Sequence, residues 1–258
     1  MTKHYILFLA LFWGATGAAQ PAGRMETDRP DQTECPFITR QHFIQAETGF
    51  VMERDNRLSS FVHPTILWKY GWAPRFELRL ITEFVSRETP LLIPAGNELV
   101  SGIDPVLIGG KLALLEEKGL RPKTSFIFHL GIPALASKKF KTSHLAPEFR
   151  FTMQNSITDH FGIGYNLGAE WDGEVSAPWW IYTLSPGVNL GKKWYAYLEA
   201  FGAIQQKEAP QHSLDGGLAY YFSDHTKVDI SGGAGISKNA PDWYLNIGFS
   251  FRFDVRRL

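Results

Sequence analysis

The sequence has a single cysteine, Cys35, and this scarcity excludes any disulfide bond within the chain. A chain without disulfide bonds must hold its fold by other means, and closure of a β-sheet is one of them. Cys35 also lies too far along the chain, directly after Thr33 and Glu34, to be the lipid-anchored cysteine that follows a signal peptide. We therefore interpret Cys35 as an ordinary residue of an extended segment.

An excess of either charge is also absent. Lys and Arg together number 26, Asp and Glu number 26, and the formal net charge is zero. Nucleic-acid binding is therefore not expected, since it calls for a basic stripe or patch. Aromatic residues make up 14% of the chain and glycines number 24, which suits an all-β protein with tight turns. The mean hydropathy of −0.15 would suit a soluble protein equally well.

Long apolar runs are missing from the chain, and the one short run lies at its start. Lys3 is followed by nine apolar residues, 5–13, and then by small residues up to Ala19. This order predicts a secretory signal peptide over residues 1–19, the alternative being a buried N-terminal helix. The run is too short for a membrane helix, which needs about 20 residues. We expect residues 20–42, which show no clear periodicity, to form an N-terminal periplasmic segment or a plug.

From residue 43 onward the sequence alternates with a period of two. In the stretch 76–84, Phe76, Leu78 and Leu80 fall on one face, whereas Glu77 and Arg79 fall on the other. Successive side chains of a strand point to opposite faces, so this pattern predicts a strand with one apolar and one charged face. The stretches 44–53 and 243–253 repeat the pattern.

Twelve such segments can be counted. They lie near 43–53, 61–72, 75–86, 104–115, 124–133, 144–155, 160–171, 179–190, 193–204, 213–222, 226–236 and 242–253. Membrane strands run to about 10 residues, whereas soluble strands average about 5 or 6. The connections between segments alternate between mostly short and generally longer ones, as in outer-membrane barrels with periplasmic turns and external loops. An even strand count would leave both termini of the chain in the periplasm.

Tryptophans supply a third signal for a membrane barrel. Trp68, Trp72 and Trp194 are expected at the periplasmic rim. The outer rim is expected to carry Trp171, Trp179, Trp180 and Trp243. Two such girdles are typical of transmembrane barrels, the alternative being packing residues of a soluble β-sandwich.

Backbone hydrogen bonding then decides between an open and a closed sheet. Unsatisfied backbone groups in lipid cost several kcal/mol each, so a spanning sheet must close on itself. We predict an all-β fold, a closed antiparallel transmembrane β-barrel of about 12 strands over residues 43–254, with a C-terminal extension at 255–258. The predicted localisation is the outer membrane of a Gram-negative bacterium.

Several short motifs resemble one family. They are Thr27-Asp-Arg-Pro-Asp-Gln-Thr33, Glu47-Thr-Gly49, Asp104–Lys111, Glu199 in its strand, Asp229, and Gly248–Phe253. Together they resemble the outer-membrane barrel family of the MetA pathway of phenol degradation, and the likeness covers nearly all of the mature chain. The resemblance implies a transporter. Five residues, Asp254 to Leu258, follow the final strand aromatic, which departs from many outer-membrane barrels.

By parity, charged residues collect on the inward face of the predicted barrel. The predicted lumen-lining residues are Glu47, Lys69, Glu77, Arg79, Glu83, Lys111, Glu148, Arg150, Glu170, Glu199, Asp215, Asp229 and Arg252. They fit either a polar conduit that selects a small solute or a narrow lumen cross-linked by ion pairs. If residues 20–42 form a plug, we expect Asp28 and Arg29 to contact the inner wall near the periplasmic mouth.

Signals for catalysis are sparse. His212 with Ser213, and His225 with Thr226, lie at opposite predicted rims and lack a hydrolase motif. The histidines and the cysteine show no metal-ligand spacing, and no cofactor is expected. Passive passage of small, aromatic or apolar molecules is the first hypothesis. A structural or adhesive barrel with a sealed lumen is the second, and a lipid-modifying enzyme the third. The expected partners are outer-membrane lipid and a small solute, without nucleic acid, and the sequence does not indicate an oligomeric state.

Overall fold

The computed structural model describes residues 23–56, 58–91 and 96–257. The predicted signal peptide at 1–19 lies outside these ranges. The strands are β1 Phe43–Asp55, β2 Leu58–Ala73, β3 Phe76–Leu91, β4 Gly96–Ile103, β5 Val106–Leu115, β6 Lys123–Ile132, β7 Ala146–Ser156, β8 Phe161–Glu170, β9 Trp179–Leu190, β10 Trp194–Ile204, β11 Gln211–Ser223, β12 Thr226–Gly235 and β13 Trp243–Asp254. Two short 3-10 helices, Pro133–Leu135 and Val255–Arg257, complete the elements.

The sheet closes through antiparallel pairing of the first and last strands. Gly49 of β1 faces Gly248 of β13, and every other neighbouring pair around the barrel is antiparallel as well. Among the described strands, each is paired on both sides except β4, which pairs only with β3, and this closure meets the hydrogen-bonding demand of a lipid environment. The predicted closed antiparallel barrel is confirmed.

The thirteen strands occupy twelve positions around the wall, because β4 and β5 share one position. We call each position a stave. Both β4 and β5 pair with β3, β4 alongside its second half and β5 alongside its first half. Only Asp104 and Pro105 separate β4 from β5. Proline has no backbone N–H to donate to the ladder, so the strand is interrupted there. The predicted count of twelve therefore holds for the wall, and the fourth stave extends back to Gly96 rather than starting at Asp104.

The connections divide the barrel into two ends. Short connections follow β2, β7, β9 and β11, and this end, which we call the turn end, also holds the start of β1 and the finish of β13. Longer connections follow β6, β8 and β12 at the opposite end, which we call the loop end. In the described ranges no helix combines the length and the apolarity needed to cross a membrane.

The two faces of the wall have opposite polarity. Outward side chains are apolar and exposed, with Phe50 and Ile247 each 59% accessible and Leu198 70%. Inward side chains are polar and buried, with Glu77 and Lys111 at 0%. Such a surface requires a hydrocarbon environment outside the barrel, as expected for a transmembrane protein.

Tryptophans occupy both rims of the wall. On the outer surface Trp72 and Trp194 lie at the turn end, whereas Trp180 and Trp243 lie at the loop end, all with well-exposed rings. Trp179 differs from the expectation, because it pairs with Glu170 and shares that residue's inward orientation. Strand parity explains the difference, since only one of two consecutive strand residues can face lipid.

Candidate functional site

The predicted lumen residues occupy inward positions on the described strands. Eight of them are buried, namely Glu47, Lys69, Glu77, Arg79, Lys111, Glu199, Asp215 and Asp229. The other five, Glu83, Glu148, Arg150, Glu170 and Arg252, are partly accessible. Burial of charges inside a barrel requires compensating partners. A large share of those partners comes from the N-terminal segment, which we define as residues 23–42.

The N-terminal segment runs inside the barrel. Near its start, Met25 is fully buried against Ala219 and Tyr221 of β11. Farther along, the hydroxyl of Ser125 on β6 donates to the carbonyl of Pro36, 2.6 Å away. These contacts lie on different sides of the lumen, so the segment crosses the interior.

Asp28 is the most heavily paired residue of the N-terminal segment. Its carboxylate lies 3.0 Å from Lys69 Nζ on β2, 2.9 Å from the guanidinium of Arg79 on β3 and 2.9 Å from Lys111 Nζ on β5. Burial alone would raise the pKa of Asp28, but Lys111, Lys69 and Arg79 together hold that pKa well below its usual range. Asp28 therefore stays ionised and links three staves of the wall.

Further carboxylates complete this buried cluster. Glu47 pairs with Lys69, and Glu77 lies 3.1 Å from Arg79. Glu34 of the N-terminal segment is 2.6 Å from another guanidinium nitrogen of Arg79. The cations are thus shared between the wall and the segment, so removing the segment would leave part of their charge uncompensated.

Arg29 contacts the part of the wall formed by β12 and β13. Its guanidinium donates to Asp229 Oδ1 at 2.9 Å and to Asn246 Oδ1 at 2.8 Å. Gly49 and Gly248 lie beside it, and a Cβ atom at either position would overlap the guanidinium. The paired glycines of β1 and β13 therefore provide the space that Arg29 occupies.

Residues 32–34 cross the lumen, and we call them the crossing. The amide of Gln32 donates to Glu199 on β10 at 2.7 Å. The hydroxyl of Thr33 lies 2.6 Å from that of Thr183 on β9. The amide of Glu34 donates to Asn166 on β8 at 2.8 Å.

On its other flank the crossing contacts β7, where Arg150 donates to the carbonyl of Gln32 at 3.1 Å. Because Glu34 also reaches Arg79 on β3, the crossing spans the interior from β10 to β3.

Cavities lie along the part of the lumen that the described residues enclose. A cavity of about 270 Å³ at the turn end is lined by Arg24, Arg40 and Arg252 among others. A smaller cavity of about 130 Å³ lies beside Thr33, between the N-terminal segment and inward residues of β8 and β9 such as Gly164. The third, about 410 Å³, lies at the loop end and has Gln32 in its lining. The crossing therefore borders the loop-end cavity through Gln32 and the middle cavity through Thr33 and Glu34.

Asp31 lies next to the middle cavity. The hydroxyl of Ser185 on β9 donates to its carboxylate at 3.0 Å. Burial raises the pKa of Asp31 to about 7, with the nearby Asp215 adding to the rise and the Ser185 bond and Lys227 opposing it. The carboxyl can therefore gain or lose its proton near neutral pH.

Several functional contacts were not singled out from the sequence. The crossing residues Gln32, Thr33 and Glu34 lie in a stretch without periodicity, which gave no signal. Lys227 and Asn166, by contrast, are polar residues at inward positions of membrane strands. The parity rule that selected the other lumen residues would have found these two.

The candidate catalytic residues either point to opposite faces of the wall or contact other side chains. Ser213 is buried on the inward face of β11, and its neighbour His212 bonds to the hydroxyl of Tyr182, with 2.7 Å between Nδ1 and Oη. Consecutive strand residues point to opposite faces, so His212 cannot activate Ser213. His225 at the turn end stacks on Phe43 and accepts from Arg252. Within the described ranges no group of three or more His, Cys, Asp or Glu residues is arranged to hold a metal ion.

Solved structures share this architecture at low sequence identity. The COG4313 outer membrane channel from Pseudomonas putida F1 matches with a TM-score of 0.66 and 12% identity, over 84% of this chain and 97% of that one. The KdgM porin matches with a TM-score of 0.54 and 10% identity, over 81% and 99% of the two chains. The NanC porin gives 0.52 and 10%, over 81% and 98%. These likenesses establish the fold.

Sequence comparison supplies the family. No curated protein matches this chain. The model of the family described as MetA-pathway of phenol degradation matches residues 27–253 and so includes the N-terminal segment from Thr27 and all of the barrel but its last strand residue. The chain is therefore an outer-membrane β-barrel and belongs to the family of the MetA-pathway of phenol degradation.

Proposed function

We propose that this protein is an outer-membrane channel through which small molecules, aromatic or apolar ones among them, pass without an energy source. One observation carries the proposal: a cavity of about 410 Å³ enters from the loop end and reaches Gln32, and a cavity of about 130 Å³ lies beside Thr33 and Glu34, while a further one of about 270 Å³ lies at the turn end. A barrel with a purely structural role has no need of polar cavities aligned along its axis. Twelve staves also give a lumen of intermediate width, between filled and water-filled barrels.

The lining of the loop-end cavity supports the solute class. Val51, Ile181, Phe201 and Tyr244 present apolar or aromatic surface, and polar groups are interspersed among them. Ligand sites for small molecules are typically apolar surfaces with a few placed polar groups, and their volumes lie at about 300–1,000 Å³. The cavity is therefore suited to receive a small organic solute before it meets the crossing.

A structural or adhesive barrel with a sealed lumen is the second candidate. The specific observation in its favour is the buried ion-pair cluster around Asp28, together with the crossing, which ties the N-terminal segment to several staves. In such a barrel the cluster would serve stability or assembly alone.

The proposal also holds that the protein catalyses no reaction. The opposed orientation of His212 and Ser213 supports it, because a serine hydrolase needs the two side chains within hydrogen-bond reach. Hydrolysis of lipid by the purified protein, lost in His212→Ala and Ser213→Ala variants, would instead restore the enzyme hypothesis.

Single-channel recording of the refolded full-length protein in a planar bilayer tests the channel proposal. We expect a small but steady current, since the crossing narrows the lumen while the cavities hydrate it on both sides. Protein that has been denatured and not refolded is the control and should give none. No current from correctly folded protein, and none after removal of residues 20–42, would favour the sealed barrel.

A further inference from the structure

The loop-end cavity, which we call the vestibule, carries two carboxylates on opposite staves. Glu53 lies on β1 and Glu170 on β8, and both are part of the vestibule lining. In the part of the chain that the structure describes, neither carboxylate has an ion-pair partner within 4.0 Å. Both are only partly buried. Their charges are thus available to a molecule that enters from the loop end.

The cation in the vestibule lining is already engaged. Arg150 donates to the carbonyl of Gln32 at 3.1 Å and lies 3.8 Å from the carboxylate of Glu34. Arg87 on β3, whose charge also acts on Glu53, pairs with Asp104. Arg150 and Arg87 each form their ion pair with another carboxylate, so their charges offset those of Glu170 and Glu53 only in part and the vestibule keeps an acidic character.

Aromatic rings line the same space. Phe201 and Tyr244 pack edge to face with their ring centroids 6.4 Å apart, and the aliphatic side chain of Ile181 lines the vestibule with them. Aromatic faces attract cations, and the attraction grows when water is excluded. Carboxylates combined with aromatic faces in one cavity form the surroundings that favour an organic ammonium group.

We propose that the vestibule binds small molecules that carry a protonated amine on an apolar or aromatic body, and that it makes the channel prefer cations to anions. The passage of such molecules rests on the proposed channel function, whereas their binding does not. Glu53 and Glu170 supply the charge contacts, and Phe201, Tyr244 and Ile181 surround the apolar body. The volume of about 410 Å³ accommodates a molecule with one aromatic ring.

The binding of three probes that share a phenyl ring tests the ligand class directly. Benzylammonium, benzyl alcohol and benzoate differ in charge and share the ring, and each is titrated by calorimetry into the full-length protein in detergent. We expect benzylammonium to bind about tenfold more tightly than benzyl alcohol, because charge-assisted contacts are stronger than neutral ones, and benzoate to bind weakest. Equal binding of the three probes, or tightest binding of benzoate, would overturn the proposal.

Two variants test whether the preference for benzylammonium comes from the vestibule. The double variant Glu53→Gln/Glu170→Gln keeps the side-chain shape and is expected to lose roughly tenfold in benzylammonium affinity, with benzyl alcohol unaffected. Glu98→Gln is the matched control, since Glu98 is an exposed residue paired with Lys139 outside the vestibule. A loss of the same size in the control, or none in the double variant, would contradict the assignment.

Ion selectivity supplies a readout through the channel itself. In a KCl gradient we expect the cation-to-anion permeability ratio of the full-length protein to exceed one and to fall about threefold or more in the double variant. A ratio below one, or a ratio unchanged by the double variant, would overturn the proposed selectivity while leaving the channel function intact. Absence of any current would count against the channel function, and the calorimetric comparison would still decide whether the vestibule binds amines.

Discussion

Removal of residues 23–42 is expected to raise single-channel conductance by roughly an order of magnitude. Conductance increases with the open cross-section of the lumen, and a barrel of twelve staves has a lumen of intermediate width. In the intact chain, residues 32–34 cross the lumen and bond to β8, β9 and β10. Without the N-terminal segment, the cavities at the two ends would join into a continuous aqueous path. Planar-bilayer recording of the deletion variant beside the full-length protein measures the difference.

The control for this deletion removes residues that lie outside the lumen. Glu174 and Val175 are exposed in the loop between β8 and β9, so their deletion should leave the conductance unchanged. Both variants must first show the shift in electrophoretic migration on heating that marks a folded barrel. Equal conductance of the full-length protein and the variant lacking 23–42 would show that the segment does not limit the pore.

Replacing Asp28 is expected to destabilise the folded barrel strongly. In Asp28→Ala, the buried cations of Lys69, Arg79 and Lys111 lose the carboxylate they share. Leaving buried charges without a partner costs about 3–5 kcal/mol of folding free energy. Urea unfolding in lipid vesicles measures this loss. As a control, Lys139→Ala breaks the exposed pair with Glu98 and should cost at most about 1 kcal/mol.

The pH dependence of the Asp28 contribution follows from its pKa. The lowered pKa in the folded state means that the contribution is fully present above the usual value of 3.8 and is lost only as the pH falls below it. The stability difference between wild type and Asp28→Ala should therefore be the same at about pH 7 and about pH 5. A difference that disappears between these pH values would show that Asp28 is not ionised in the cluster.

The wall of the barrel was predictable because each strand encodes its own two faces. Alternation in 76–84 assigned Glu77 and Arg79 to the interior without knowledge of any neighbour. The interruption at Asp104 and Pro105 was not predicted, because the sequence does not reveal that the stave continues on the far side of the proline back to Gly96. Whether a segment forms a strand can therefore be read from its own sequence, whereas whether two segments continue one another in the sheet depends on the strand with which both pair.

The interior was predictable only in part. Asp28 and Arg29 were expected to contact the wall, but their partners depend on register between distant strands. Asp28 meets Lys111, 83 positions away, and Arg29 meets Asp229, 200 positions away. The crossing at 32–34 has no periodicity to indicate its path, since its side chains bond to several staves at once. Only the closed barrel brings these groups together.

Cross-linking the crossing to the wall tests most directly whether the N-terminal segment lies in the lumen of the channel. The hydroxyls of Thr33 and Thr183 are 2.6 Å apart, so Thr33→Cys/Thr183→Cys in a Cys35→Ser background should form a disulfide in nearly every chain. The control pair, Thr33→Cys/Thr48→Cys, places the second thiol on the outward face of β1 and should not cross-link. Mass spectrometry of protein extracted from the outer membrane measures the bond. Free thiols at both positions 33 and 183 under oxidising conditions would contradict the account.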